Sequence, residues 1–288
     1  MKTILITGAN GQLGNEMRVL STEYPQFEYI FTDVEELDLT DADALAEFFD
    51  AVKVDFIVNC AAYTAVDKAE EDEQTAYKIN AQAVVNLAEM AKHHNIKMLH
   101  VSTDYVFDGT SHIPYTEDMP ASPNTIYGKT KLAGERLLLD LLPDAAIIRT
   151  SWLYSSFGNN FVKTMLKLGR ERDSLNVVFD QIGTPTYAAD LASAIMQIIV
   201  SQKFIGGIYH FSDEGAISWY DFTKAIHRLA GIQCAVRAVE TSEYPTNTSR
   251  PHYSVLNKKK IKATYNIEIP YWEDSLRACL AKLNECQT

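Results

Sequence analysis

Residues 4–14 read ILITGANGQLG, and this stretch decides the fold of the 288-residue chain. An apolar run typical of a buried β-strand leads directly into three glycines, Gly8, Gly11 and Gly14, and then into a helical pattern. Glycines at this spacing allow a tight turn, let a pyrophosphate approach the N–H groups at a helix N-terminus, and let the helix pack closely on the strand. The stretch therefore predicts a dinucleotide-binding turn.

Asp33 supports this prediction from the end of the second predicted strand, nineteen residues after Gly14. A carboxylate at that place accepts hydrogen bonds from the ribose diol of a dinucleotide. It would also repel a 2′-phosphate, and no Lys or Arg occurs from Thr3 through Met17 to attract one. The sequence therefore favours NADH over NADPH as the cofactor.

The first half of the chain continues as an alternation of strands and helices. The predicted strands are Lys2–Thr7, Glu28–Thr32, Phe56–Cys60, Met98–Ser102 and Ala146–Arg149, and the predicted helices are Gln12–Ser21, Asp41–Ala51, Glu73–His93 and Thr125–Leu141. Runs such as ILIT and FIVN are apolar throughout, which is typical of parallel strands covered by helices on both faces. The pattern predicts an α/β protein with a Rossmann-type doubly wound parallel sheet.

The alternation loosens after about residue 152, which predicts a smaller mixed α/β lobe. Its predicted helices are Phe161–Arg172, Tyr187–Ser201, Trp219–Ala230 and Trp272–Asn284, with short strands near Asn176–Phe179 and Gly207–Phe211. No repeat or long linker separates the two parts. We expect a dinucleotide-binding domain over residues 1–155, to which a segment of about 175–212 can return, and a substrate-binding lobe over 156–288.

Composition and charge exclude several classes of function. A net charge of −12 argues against a nucleic-acid partner, which needs a basic face. No apolar run of 18 residues appears, and the opening stretch passes straight into glycines, so we expect no membrane span, no signal peptide and a cytoplasmic protein. The four cysteines have no C-x-x-C spacing and the seven histidines are scattered, so no zinc site is predicted and the thiols are expected to be free.

The segment YGKTK, residues 127–131, places Tyr127 and Lys131 four positions apart on a predicted helix. Residues i and i+4 lie on the same helix face, so the two side chains can reach a common point. A phenol donates a proton poorly near neutral pH, but an adjacent ammonium favours the phenolate and lowers the pKa of the phenol. The pair predicts a general acid, Tyr127, with Lys131 as its activator and as a possible donor to a nicotinamide ribose.

Thr103 gives this pair a context, because it directly follows the fourth predicted strand, at the sheet edge where ligands bind in open parallel sheets. Its hydroxyl can donate to a carbonyl oxygen that gains negative charge during hydride transfer. Together with the T-G-x-x-G-x-x-G spacing of the turn, the order Thr103, Tyr127, Lys131 resembles the extended branch of the short-chain dehydrogenase/reductase family. We predict these three as the catalytic residues.

Longer blocks resemble one group of that family, the dTDP-4-dehydrorhamnose reductases. The blocks are VNCAAYTAVDKAE (58–70), STDYVFDG (102–109), YGKTKLAGE (127–135), RTSWLY (149–154), GNNF (158–161) with TML (164–166), DQIGTPT (180–186) and RPHYSVL (250–256). The resemblance implies an enzyme that uses NADH or NADPH to reduce the 4-keto group of dTDP-4-dehydro-L-rhamnose, giving dTDP-L-rhamnose. Tyr127 would protonate the oxygen while Thr103 polarises the carbonyl.

The resemblance also implies residues that contact each ligand. The cofactor contacts would be Gly8, Gly11, Gln12, Leu13, Gly14, Asp33, Asp38, Leu39, Ala62, Tyr63, Tyr127 and Lys131. The substrate contacts would be Thr64, Val66, Thr103, Asp104, Tyr105 and Trp152, with Asn80 positioning the backbone near the site. On the residues alone, Trp152 suits a core position equally well and Thr64 suits a helix cap, while Arg250 suits either a diphosphate or the surface.

Some members of the reductase group bind Mg²⁺ through carboxylates at a dimer interface. Glu16 keeps one such position, but Ala189 and Lys282 stand where the other carboxylates are expected. The sequence therefore predicts no metal ligand and leaves both a monomer and a homodimer open.

Two other functions remain open at this stage. The first is a sugar-nucleotide epimerase or dehydratase of the same fold, although dehydratases that resemble this chain carry an Asp-Glu pair where Asp104-Tyr105 stands here. The second is a non-catalytic subunit that resembles the regulatory subunit of methionine adenosyltransferase. The intact trio of Thr103, Tyr127 and Lys131 favours an enzyme over a non-catalytic subunit.

Overall fold

A parallel sheet of six strands forms the centre of the protein in this computed structural model, which describes residues 1–201 and 203–285. Its strands are β1 (Lys2–Thr7), β2 (Phe27–Thr32), β3 (Phe56–Asn59), β4 (Lys97–Thr103), β5 (Ala146–Thr150) and β10 (Gly207–His210). Their order is β10-β5-β4-β3-β1-β2, and every neighbouring pair is parallel. The predicted doubly wound α/β fold is confirmed, and the strand order reverses between β1 and β3, where such sheets bind ligands.

Helices cover both faces of the sheet. They are α1 (Gln12–Leu20), α2 (Ala42–Ala51), α3 (Val66–Ala69), α4 (Glu73–Tyr77), α5 (Ala83–His93), α6 (Ile126–Leu141) and α8 (Ala188–Val200). Apolar side chains of α1 and α8 pack with β1, β3 and β5 into one core, and those of α2, α5 and α6 pack into a second core on the opposite face. Strands such as β1 bury nearly every side chain because both faces are covered.

A third core lies in the carboxyl-terminal part of the chain. It is formed mainly by α7 (Phe161–Glu171), β7 (Ser174–Val178), α9 (Trp219–Leu229) and α11 (Trp272–Glu285). The remaining elements are β6 (Leu153–Tyr154), β8 (Ile182–Gly183), β9 (Thr186–Tyr187), β11 (Ile217–Ser218), β12 (Ala235–Val239) and α10 (Lys259–Tyr265). The strands pair as β7 with β12, β8 with β11, and β6 with β9.

Most predicted elements agree with the structure to within two residues, but one predicted helix is interrupted and several short elements were not predicted, namely α3, β6, β8, β9, β11, β12 and α10. The single helix predicted over Glu73–His93 is interrupted by a π-helical turn at Lys78–Gln82. The strand β12 was not predicted, because it is short and mostly exposed and is defined by pairing with β7. Lys258, the first of three consecutive lysines, is buried and donates to the carbonyl of Asp213.

In the described residues, no helix is long and apolar enough to cross a membrane. Residue 202 and residues 286–288 lie outside the described residues, so the prediction of a free thiol at Cys286 lies outside them as well.

Candidate active site

The glycine turn between β1 and α1 is built by close backbone contacts. Gly8 has a φ of +64°, a conformation that glycine adopts without strain, and a Cβ added to it would lie 2.7 Å from the backbone of Ala61. A Cβ on Gly14 would lie 2.5 Å from the carbonyl oxygen of Gly8. The turn can therefore lie against the loop after β3, and α1 against the turn, only because these two positions lack a side chain.

The residues that follow the turn divide between backbone and side-chain roles. Gln12 and Leu13 open α1, where backbone N–H groups have no helical acceptor and suit a phosphate. The side chain of Leu13 is buried in the core, so only its backbone can serve a cofactor. The side chain of Gln12 instead accepts a hydrogen bond of 2.9 Å from Asn160.

Asp33 lies at the end of β2, beside the turn. One carboxylate oxygen accepts from the Asn10 N–H at 2.9 Å and the other accepts from the Val34 N–H at 2.9 Å. These backbone donors hold the carboxylate in place at the edge of the switch point. Asp38 and Leu39 follow on the same loop, where Thr40 donates to Asp38 and lowers the pKa of its carboxyl, and Asn86 donates to the carbonyl of Leu39.

Asn80 lies in the π-helical turn and holds the loop after β3 in place. Its side chain accepts from the Tyr63 N–H at 2.9 Å and donates to the Tyr63 carbonyl at 3.1 Å. It also donates to Thr130 on α6 at 3.1 Å. A π-helical turn changes the side-chain direction by adding a residue to one turn of helix, and such turns occur often at functional sites. The loop carrying Ala62, Tyr63 and Thr64 is thus tied to the helix that carries Tyr127.

The predicted catalytic residues lie where β4 ends and α6 begins. Thr125 caps α6 by accepting from the Gly128 N–H, so the first turn of the helix presents Tyr127. Tyr127 forms a small buried cluster with Ala69 and Ala76, against which Tyr63, Val66, Tyr105 and Ile126 pack. The Tyr127 ring meets that of Tyr105 edge to face, with 5.5 Å between the ring centroids. Residues predicted for cofactor, substrate and catalysis therefore lie together around one phenol.

The environment of Tyr127 differs from the prediction in one respect. Burial raises the pKa of its phenol, with Asp104 and Tyr105 adding to the rise, while the interaction with Thr103 lowers it. The hydrogen bonds of the Lys131 amine go to His100 and to the carbonyl of Val101, at 3.2 and 2.8 Å. The prediction that an ammonium at Lys131 lowers the pKa of Tyr127 is therefore wrong for this structure.

Asp104 is a buried carboxyl beside the predicted catalytic threonine. The Thr103 hydroxyl donates to its Oδ1 at 3.0 Å, and its Oδ2 has no hydrogen-bond partner. Burial raises the pKa of Asp104 to about 6, although interactions with Ser254 and Thr103 act in the opposite direction. An unpaired, buried acceptor at this place is available to a polar ligand.

A cleft of about 280 Å³ opens beside these residues. Its walls include three predicted substrate residues, Asp104, Tyr105 and Trp152, together with Arg250 and Trp219, for which the sequence predicted no contact with the sugar. Trp152 has a φ of +47° and stacks on Trp219 with 3.5 Å between centroids and 9° between planes. The stack holds one wall of the cleft rigid, and Gly183 makes room for it because a Cβ there would lie 2.5 Å from the Trp152 ring.

Arg250 lines the cleft and is bonded to neighbouring side chains. It donates to Asp67 at 2.7 Å and to the Tyr105 hydroxyl at 3.3 Å. Thr64 is exposed and does not cap a helix, since Ala65 is the N-cap of α3 and no side chain caps it.

The position of Glu16 does not fit a divalent cation. Its buried carboxylate accepts from the Ser155 hydroxyl at 2.7 Å, and the Lys282 ammonium lies 3.5 Å from its other oxygen. Within the described part of the chain no group of three His, Cys, Asp or Glu side chains could hold a metal. An ammonium here supplies the positive charge that a metal would bring.

Sequence reasoning missed His100 and Asn59, which lie behind Lys131. A histidine inside the buried run MLHVST was the only sign that this strand carries a polar group into the core. Its partner on β3 could not be foreseen, because the contact joins residues 41 positions apart.

A glycine turn at the switch point of a parallel sheet, with Thr, Tyr and Lys at the end of β4 and the start of α6, defines an oxidoreductase of the short-chain dehydrogenase/reductase type. The model of the family described as RmlD substrate binding domain matches residues 1–285. The chain belongs to this family, which confirms the predicted resemblance.

Several named relatives match this chain along nearly their whole length. A dTDP-4-dehydrorhamnose reductase of Aggregatibacter actinomycetemcomitans is 45% identical, with 96% of this chain and 98% of the relative covered. The crystal structure of a dTDP-4-dehydrorhamnose reductase from Clostridium acetobutylicum is 44% identical, with a TM-score of 0.94 and 98% and 99% of the chains covered. One from Bacillus anthracis, solved in complex with NADP, is 38% identical, with a TM-score of 0.94 and 98% and 100% covered.

Proposed function

We propose that this chain is an NAD(P)H-dependent reductase that converts dTDP-4-dehydro-L-rhamnose to dTDP-L-rhamnose by reducing the 4-keto group. The observation that carries the proposal is the side-chain interaction of Thr103 with Tyr127, next to Asp104 and Tyr105, which line a cleft together with Trp152. Identities of up to 45% with reductases of this name support the choice of substrate. A dTDP-sugar is thus the proposed partner, the enzyme is proposed to work in the cytoplasm, and its oligomeric state is a monomer or a homodimer.

The residues of the turn fit a nicotinamide dinucleotide. Gly8, Gly11 and Gly14 leave the backbone open, and the first turn of α1 offers N–H groups to the pyrophosphate. Further cofactor contacts are proposed along the sheet edge, from Asp33, Asp38, Leu39, Ala62 and Tyr63. A reduced nicotinamide supplies the hydride when bound.

The side chains then perform the acid–base part of the reaction. Tyr127 donates its phenolic proton to the oxygen that becomes a hydroxyl. Thr103 exchanges its hydrogen bond to Asp104 for one to the same oxygen, which stabilises the developing negative charge. Burial that raises the pKa of Tyr127 keeps the phenol protonated before the reaction. Thr64 and Val66 contact the sugar on the side of α3, and Trp152 contacts it from the opposite wall.

The preference for NADH over NADPH belongs to the same proposal. The Asp33 carboxylate is held by two backbone N–H groups and would repel a 2′-phosphate. The relative from Bacillus anthracis was solved with NADP, so both cofactors must be compared directly. Mg²⁺ is not part of the proposal, because Lys282 already faces Glu16.

The proposal also divides the chain between two ligands. Residues 1–155 hold the cofactor, with a segment of about 175–212 returning to them, and residues 156–288 form the lobe for the sugar nucleotide. The sixth strand of the sheet, β10, supports the return, and the cleft lined by β7 and α9 residues supports the lobe.

The test is incubation of the purified protein with dTDP-4-dehydro-6-deoxy sugar and each cofactor, with the product identified by NMR. We expect one NAD(P)H consumed for each dTDP-L-rhamnose formed. Turnover without net consumption would favour an epimerase or dehydratase of the same fold. Cofactor binding with no turnover would favour a non-catalytic subunit.

A further inference from the structure

The cleft beside Tyr127 is poor in positive charge. Arg250 is the only Lys, Arg or His among the described residues that line it. The proposed ligand carries a diphosphate, and the chain as a whole has a net charge of −12. A diphosphate that enters this cleft therefore depends on one guanidinium for its countercharge, because the overall charge of the protein repels it.

Arg250 is already paired with a carboxylate of the protein. Its Nη2 donates to Asp67 Oδ2 at 2.7 Å, and its Nη1 donates to the Tyr105 hydroxyl at 3.3 Å. Asp67 lies on α3, and Arg250 follows it by 183 positions in the chain. The ion pair therefore links the carboxyl-terminal part of the chain to the short helix that follows β3.

The two partners of this ion pair differ in their access to water. The Asp67 side chain is 48% exposed, whereas that of Arg250 is 22% exposed. A half-exposed carboxylate that leaves its partner regains hydrogen bonds from water, so its release costs little free energy. A guanidinium that is mostly covered needs another anion in the same place. The pair is therefore suited to an exchange of its anion.

The geometry of the guanidinium allows a phosphate to replace Asp67. An arginine has five N–H groups in a planar fork, which matches two oxygens of a phosphate. Asp67 and Tyr105 use one terminal nitrogen each, so the bond to Tyr105 can remain while Nη2 changes its acceptor. A phosphate bound beside Asp67 would set two anions against each other. Displacement of the carboxylate removes this repulsion and keeps the guanidinium paired.

We propose that Asp67 is a positioning residue that competes with the diphosphate of the sugar nucleotide for Arg250 and so limits the affinity of the cleft. The carboxylate holds the guanidinium before the ligand binds, gives way to the diphosphate, and returns when the product leaves. Substrate and product share the diphosphate, so Asp67 raises both dissociation constants alike. This inference rests on the proposed function for the identity of the ligand, but it concerns binding and not hydride transfer.

The direct test is dTDP binding, measured by isothermal titration calorimetry at one ionic strength in the parent protein and in Asp67→Asn. The asparagine keeps the shape of the side chain and removes its charge. We expect dTDP to bind about fivefold more tightly to the variant, which is the upper end for a half-exposed ion pair. Weaker binding would mean that Asp67 holds Arg250 ready for the ligand, and unchanged binding would mean that it does not compete. Either result would overturn the proposal.

The matched control is Glu71→Gln, which removes an equal charge from the same acidic stretch. Residues 67–73 contain five Asp or Glu, and Glu71 is exposed. Its loss tests the general effect of net charge, which solvent and salt screen at an exposed site. The control should change dTDP affinity by less than about twofold. An equal gain in both variants would show that the contact with Arg250 does not matter, against the proposal.

A double-mutant cycle shows whether Asp67 acts through Arg250. Arg250→Gln removes the guanidinium charge and should weaken dTDP binding. In that background Asp67→Asn should no longer tighten binding, because no cation remains for the carboxylate to occupy. The same gain with and without the guanidinium would contradict the assignment.

Kinetics separate this inference from the proposed function. In Asp67→Asn the KM for dTDP-4-dehydro-L-rhamnose should fall by the same factor as the dissociation constant of dTDP, while kcat does not rise. Tighter dTDP binding in a protein that reduces no keto sugar would remove the function and keep the assignment of Asp67. Full turnover with unchanged dTDP binding and KM in Asp67→Asn would keep the function and remove the assignment.

Discussion

The glycine turn and the start of α6 are two halves of one proposed active site, but the first acts through its backbone and the second through side chains. The turn offers backbone groups to the cofactor, and Gly8 and Gly14 have no side chain because a Cβ at either position would collide with neighbouring backbone atoms. The start of α6 consists of buried side chains, with Tyr127 and Lys131 set by partners on β4. The turn's chemistry is therefore encoded by local spacing, whereas that of α6 depends on residues far away in sequence.

The largest expected effect is at the side-chain half. Tyr127→Phe removes the proposed proton donor without changing the ring, so kcat should fall about 10³-fold, within the range for loss of a general acid. Cofactor affinity measured by fluorescence should change little. Tyr115→Phe, which removes another buried hydroxyl, bonded to Asp108, is the control and should keep its activity. Equal losses in both variants would contradict the assignment.

The corresponding substitution in the glycine turn is Gly8→Ala. The φ of +64° and the 2.7 Å approach to Ala61 together should cost roughly 2–4 kcal/mol of unfolding free energy and weaken cofactor binding. Denaturant unfolding and cofactor titration measure the two effects. Gly231→Ala is the control, since Gly231 has a φ of +67° but nothing within 4 Å of an added Cβ. If both variants lose the same stability, the close approach does not matter.

Asp104→Asn measures how much unfolding free energy the protein loses when the buried carboxyl of Asp104 ionises. The pKa of Asp104 is raised to about 6, so the folded protein binds more protons than the unfolded chain below that pH and loses stability as the pH rises through this range. The asparagine does not ionise, so the variant should exceed the parent by roughly 1–3 kcal/mol above pH 7, and the excess should shrink on acidification to about pH 4. Thermal unfolding across this range gives the difference. A constant excess would show that ionisation of Asp104 is not its cause.

The smallest expected effect concerns cofactor choice at the turn. Asp33→Asn removes the negative charge near a 2′-phosphate, so the ratio of kcat/KM for NADPH to that for NADH should rise about tenfold, or about 1.4 kcal/mol. Glu36→Gln removes an equal charge from the neighbour that accepts from the Asp33 N–H and should change the ratio much less. A ratio that does not move in Asp33→Asn would mean that another group selects the cofactor.

The fold was predictable to the extent that local pattern determines it. Apolar runs such as Lys2–Thr7 mark strands buried on both faces, and the helices that alternate with them have clear polar and apolar sides. The interruption at Lys78–Gln82 was not predictable, because the π-helical turn is stabilised by contacts of Asn80 with the loop after β3 and with α6. The strand β12 was missed because only its partner β7 makes it a strand.

The candidate site shows the same division. The resemblance to the reductases predicted that Tyr63, Val66 and Tyr105 serve the same site as Tyr127, and the structure places these four in one cluster. The electrostatics could not be read from spacing, because desolvation depends on what covers a group. The phenol pKa is raised by burial, and Lys131 is bonded to His100, which no local motif links to it.

The most direct test of the central claim, proton donation by Tyr127 during keto reduction, follows a deuterium label. The protein is given dTDP-4-dehydro-6-deoxy sugar with NADH deuterated at the transferable position, and the product is read by NMR. We predict one deuterium at C4 of the sugar for each NADH consumed, with the labelling rate falling about 10³-fold in Tyr127→Phe. An unlabelled C4, or the same labelling rate without the Tyr127 hydroxyl, would contradict the account.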